Sequence, residues 1–128
     1  MSKSIISSPR IAPRPGAPYS AGTKAGNLVF TGTMGPFDKQ AELVGRGDIR
    51  AQTRQVLENV KSVIESGGGT LDDVMKTTVY ITDIAHFAPM NEIYRTFFTS
   101  EPPARAPVIV NHVIEGVLVE IDAIAVIG

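Results

Sequence analysis

From Val117 to Val126 the residues alternate with the period of a β-strand, and both faces of that strand are largely apolar. One face carries Val117, Val119, Ile121, Ala123 and Ala125. The other carries Leu118, Glu120, Asp122, Ile124 and Val126. An antiparallel sheet with one wetted face shows polar residues on that face. This strand therefore needs cover on both sides. The rest of the chain supplies cover for one. Asp48 is a good N-cap, and Ile49, Thr53, Val56, Leu57, Val60, Val63 and Ile64 follow in steps of three and four. That helical stripe stops at Gly67-Gly68-Gly69, where glycine permits a left-handed C-cap. Phe87, Met90, Ile93, Tyr94 and Phe97 mark a second amphipathic helix, with Pro89 in its first turn. Strands are expected before the Gly26-Asn27 turn and at Leu28–Gly32, Val74–Thr82, Pro107–His112 and Val117–Ile127, with a turn near Glu115-Gly116. Phe37 to Gly47 reads as a loop with a short strand near Leu43. Two helices cover one face of such a sheet. The second face is assigned to another subunit, which implies an obligate oligomer with clefts at the subunit junctions.

The length, 128 residues, suits one domain over residues 1–128, with 1–16 as an extended, proline-rich N-terminal arm. A hydrophobic fraction of 43% supports a real core. A net charge of -1 gives no reason to expect nucleic acid or an anionic membrane as partner. There are no cysteines, which excludes thiol nucleophiles and cysteine metal sites and fits a cytoplasmic location. No apolar run approaches the roughly 18 residues of a membrane span. Met1 to Ser8, with one lysine and only Ile5-Ile6 as apolar content, does not resemble a secretory leader.

Two segments carry chemistry. Arg105 follows Pro102-Pro103 in a stiffened loop that runs into a strand, a placement suited to planar recognition of a carboxylate or phosphate. Glu120 lies among aliphatic residues, where a carboxylate needs a partner or shifts its pKa. Together they suggest a small-molecule site with an anion clamp and an acid/base group. Asp122, about 7 Å further along the same face, reads as structural. His86 and His112 have no metal-ligand spacing and read as surface or cleft-rim residues. The triple glycine lacks the lysine of a phosphate loop and reads as a helix stop.

Several motifs occur in a shared order. They are Ala17-Pro18-Tyr19 with Gly22, Thr31-Gly32, Gln52-Thr53 with Gln55, Leu57 and Asn59, and Lys76-Thr77-Thr78-Val79-Tyr80. Further on come Asn91 with Tyr94 and Phe97-Phe98, Pro103-Ala104-Arg105, and Glu120 with Asp122-Ala123-Ile124-Ala125. In these the chain resembles the reactive intermediate deaminase family, also called the YjgF/YER057c/UK114 (RidA-like) family. The resemblance implies an α+β fold like Bacillus-type chorismate mutase, with a mixed sheet of about six strands and two helices on one face. It implies a homotrimer with three inter-subunit clefts. It implies hydrolysis of a small carboxylate-bearing enamine or imine to a 2-keto acid and ammonia, of the 2-iminobutanoate/2-iminopropanoate type, with no cofactor and no metal.

By the same resemblance Arg105 clamps the substrate carboxylate and Glu120 positions or activates the attacking water. Tyr19 lines the cleft or packs on a neighbouring subunit. Gly32 offers its N–H to the substrate carboxylate or is a simple turn glycine. Asn91 reaches the cleft or is an ordinary polar helix position. Pro107 stands where family deaminases often have a cysteine whose main chain contacts substrate, and proline has no N–H to give. That departure keeps open a pathway enzyme for a specific enamine, for example in aromatic or pyrimidine catabolism. Two other functions compete. One is a ribonuclease or translation inhibitor, against which stand the charge and the scattered Arg10, Arg14, Lys24, Arg46, Arg50 and Arg54. The other is a non-catalytic ligand-binding trimer, which would need the arginine but not Glu120.

Overall fold

A computed structural model describes residues 2–128. Its six strands are β1 (Ser4–Ile6), β2 (Gly22–Ala25), β3 (Leu28–Thr31), β4 (Val74–Ile81), β5 (Ala104–Ile109) and β6 (Val119–Val126). The helices are α1 (Ile49–Ser66) and α2 (Phe87–Phe97). The strands form one sheet in the order β1-β2-β3-β6-β4-β5. All neighbours are antiparallel except β4 and β5. A parallel pair needs a crossover, and α2 supplies it. The result is α+β with an open mixed sheet and both helices on one face. No helix among the described residues is long and apolar enough to cross a membrane.

The core forms where α1 meets the sheet. Val56, Leu57, Val60, Val63 and Ile64 are fully buried against Val29, Val79, Val119, Ile121 and Ala125. Asp48 caps α1 by accepting from the Ala51 N–H at 3.1 Å. At the other end the Gly69 N–H donates to Ile64 O and the Gly68 N–H to Glu65 O, each at 3.0 Å, the paired bonds of a Schellman motif. Gly68 takes the left-handed position, φ 98°. Two buried polar residues of α1 do a different job. Gln52 donates to Gly45 O at 3.3 Å and Gly116 O at 2.9 Å, and accepts from the Leu118 N–H at 2.8 Å. Asn59 donates to Gly35 O at 3.0 Å and Phe37 O at 2.8 Å. The helix thereby holds the loops that flank Glu120.

Four expectations change. Ser4–Ile6, inside the stretch read as an extended arm, is an edge strand on β2; only Ile6 is buried, so three residues carry no readable alternation. Met1 lies outside the described residues. β5 starts at Ala104 rather than Pro107, and Pro107 sits within it. Because β5 is an edge strand, the missing N–H is tolerated. β6 begins at Val119 because the Leu118 N–H is taken by Gln52. Leu43 makes an isolated bridge to Phe37, not a strand.

Candidate active site

Pairing along β4 decides how the functional groups are distributed. Arg105 is opposite Thr77 and Glu120 is opposite Tyr80. Those β4 residues are an odd number of steps apart, so their cross-strand partners point to opposite faces of the sheet. Arg105 shares the helix-covered face and Glu120 the open one. Within one chain the arginine and the carboxylate do not share a cavity. The single site suggested by their sequence context is not assembled by one chain alone.

On the helix side, the Arg105 guanidinium carbon lies 4.8 Å from the Tyr94 ring centre and 5.4 Å from that of Phe87. Cation–π attraction holds it there. One guanidinium nitrogen donates to Asn91 Oδ1 at 2.6 Å. The Tyr94 hydroxyl is tied to Thr77 Oγ1 at 2.7 Å. Burial raises the Tyr94 pKa, opposed by that hydrogen bond and by the charge of Arg105. This assembly borders a cavity of about 690 Å³ that Pro102 and Pro103 also line. Asn91, which the sequence allows as an ordinary helix position, is the arginine's direct partner. Pro107 faces a smaller apolar pocket with Ile81, Ile84, Phe87 and Ile109.

On the open side, Glu120 lines a cavity of about 420 Å³ with Tyr19, Gly32, Gly35, Phe37 and Asn59. The cavity exists because the chain leaves the ladder after β3 and rejoins it at Met34. The Met34 and Ile121 backbones exchange hydrogen bonds of 2.8 and 3.1 Å, which brings the Gly32–Gly35 turn beside Glu120. Gly35 has to be glycine for a spatial reason: a Cβ there would lie 2.8 Å from the Phe37 ring and 3.4 Å from Glu120 Oε2. Arg14 sits over the Phe37 ring, 5.7 Å from its centre. Tyr19 is 64% exposed in the single chain.

Of the two readings of Gly32, the geometry fits the turn glycine. Its N–H donates to Ala21 O at 2.7 Å, so it is not free to bind a ligand carboxylate. The rim reading of His112 is corrected. Its side chain is 4% exposed, and its Nδ1 lies 2.8 Å from Glu120 Oε1. Its Nε2 lies 3.1 Å from Tyr80 O. A lone histidine in a segment without helix or strand periodicity gives no sequence signal for such a contact. Asp122 accepts from the Tyr80 hydroxyl at 2.8 Å. Burial, then this bond, pushes the Tyr80 pKa up. Among the described residues no three His, Asp or Glu side chains converge as a metal would require.

The chain is thus an α+β domain with an aromatic-backed arginine on one face of its sheet and a histidine-bound carboxylate on the other. The comparisons with known proteins give its family. The chain belongs to the family described as Endoribonuclease L-PSP, whose model matches residues 10–127, and within it is YjgF/RidA-like. It is 47% identical over 114 residues to a RutC family protein of Pyrococcus horikoshii, spanning 89% of this chain and 90% of that protein. Among solved structures it resembles E. coli TdcF with bound serine, with 38% identity, TM-score 0.89 and coverage of 98% and 99%. It also resembles RidA from the Antarctic bacterium Psychrobacter sp., with 38% identity, TM-score 0.87 and coverage of 97% and 99%.

Proposed function

We propose that this protein hydrolyses carboxylate-bearing enamines and imines to 2-keto acids and ammonia. In this reading the site forms between subunits of a homotrimer, with Arg105 from one chain and Glu120 from the next. The observation that carries it is the presentation of Arg105. The ion is backed by two aromatic rings and anchored through one nitrogen to Asn91, so its remaining N–H groups suit a bidentate carboxylate. The serine bound by the similar TdcF carries such a carboxylate.

The chemistry then needs little else. An enamine gains a proton at its β-carbon, loses one from nitrogen, and becomes an imine. Glu120 accepts a proton from water as the oxygen bonds to the imine carbon. Transfer of that proton to nitrogen gives a carbinolamine. Its C–N bond breaks as the carbonyl forms, and ammonia leaves. Every atom comes from substrate and water.

The test follows keto-acid release from imines made in situ by an amino-acid oxidase. Arg105→Ala raises KM and lowers kcat/KM about 10- to 100-fold, the loss of a hydrogen-bonded charge pair. Glu120→Gln leaves binding in place and lowers kcat by about 10² or more. Wild-type kinetics in both variants would remove the reading. Incubation with RNA in parallel tests the ribonuclease alternative; RNA cleavage that survives both substitutions would favour that alternative.

A further inference from the structure

We propose that His112 is a positioning residue that selects which oxygen of Glu120 faces the reacting water. The inference rests on Glu120 acting on that water. It stands on where the two carboxylate oxygens go. Oε1 is 2.8 Å from His112 Nδ1. Oε2 lies toward Gly35, 3.4 Å from where a Cβ on that glycine would stand, and both residues line the cavity. The terminal torsion of a glutamate is broad and roughly two-fold. One lateral anchor removes that freedom. The anchor is itself fixed, because Nε2 of the same ring reaches Tyr80 O at 3.1 Å, and Tyr80 is the cross-strand partner of Glu120. The ring therefore ties the β4 backbone to the β6 side chain. Both of its neighbours are acceptors. The ring anchors Glu120 when Nδ1 carries the hydrogen and donates it to Oε1. The other charged groups nearby are Asp122, occupied by the Tyr80 hydroxyl, and Arg14 and Asp38, which also line the cavity.

Removing the anchor lets the carboxylate rotate without touching the arginine clamp. His112→Leu keeps the bulk and lowers kcat about 10²-fold, the scale of a misplaced catalytic group, with KM within about two-fold. His112→Gln, which can still donate to Oε1, recovers most of the loss. Because His112 acts through Glu120, the His112→Leu/Glu120→Gln double variant is no slower than Glu120→Gln alone. A fourth measurement needs no substitution at 112. Long-range proton–nitrogen NMR of the wild type shows a hydrogen on Nδ1, and Glu120→Gln moves the Nδ1 resonance. Wild-type turnover in His112→Leu, equal losses in the Leu and Gln variants, fully additive losses, or an Nδ1 without a hydrogen overturns the proposal. The two readings fail separately. A fully active Glu120→Gln sinks the water-activating role and His112 with it. A slow Glu120→Gln beside a fully active His112→Leu sinks His112 alone.

Discussion

Arg105 and Glu120 are held by different means. The arginine leans on ring faces and one amide. The carboxylate lies among strand side chains whose own hydrogen bonds are closed, and Tyr80 is part of that network. Its phenol is partly buried and donates to Asp122, which favours the neutral form in the folded chain. A tyrosine whose pKa is raised by folding contributes stability that is fully present below the unfolded value of about 10 and is lost as pH rises through the folded value. Tyr80→Phe cannot ionise. Its urea midpoint falls less steeply than the wild type's above about pH 10, and Tyr94, shifted in the same direction, accounts for part of the slope that remains. Parallel slopes would mean that Tyr80 ionises as freely in the folded chain as in the unfolded one. At this scale the candidate residues were legible where residue type contradicts its surroundings: Glu120 in an apolar strand, Arg105 after two prolines. His112 and Gly35 were not, because their roles are contacts with distant segments and no local pattern encodes them.

The elements were legible where a period runs long enough. The stripe of α1 and the alternation of β4 each repeat several times, and each appears near its expected bounds. β1 has three residues and β5 contains a proline, so neither displays a period. The order of strands was also hidden. A turn at Glu115-Gly116 suggests that the strands around it are neighbours, yet β4 lies between β5 and β6. Gln52 shows how α1 contributes beyond its apolar stripe. It is fully buried, and three backbone groups depend on it, two of them at the entry to β6. Leucine at this position fills similar space but leaves the Leu118 N–H and the Gly116 carbonyl without their partner. Unsatisfied buried groups of this kind cost about 2–4 kcal/mol together. Gln52→Leu therefore lowers the urea midpoint with the slope unchanged. An unchanged midpoint would show that water replaces the amide without loss.

For the whole molecule the question is what covers the open face. Cross-strand pairs Leu28–Val126 and Phe30–Ile124 lay an apolar strip on it. Phe30 and Val126 are 41% and 39% exposed in the single chain. Beside that strip lie Tyr80, Glu120 and His112. A second copy seated there would cover the strip and could bring its own Arg105 toward Glu120. In a trimer, each site would then draw the two groups from different chains. This arrangement has a consequence that no intrachain site shares. Arg105→Ala chains still carry Glu120, and Glu120→Gln chains still carry Arg105. Unfolded together in equal amounts and refolded, they assemble at random, and about a quarter of the junctions regain both native groups. Two nearly inactive proteins should therefore yield a mixture with roughly a quarter of wild-type turnover, while light scattering reports three times the 13.7 kDa chain mass. Phe30→Glu, which puts a charge into the strip, should shift the mass toward one chain and abolish the recovery. A mixture as inactive as its parents, from chains that do assemble, would mean that Arg105 and Glu120 do not meet across a junction.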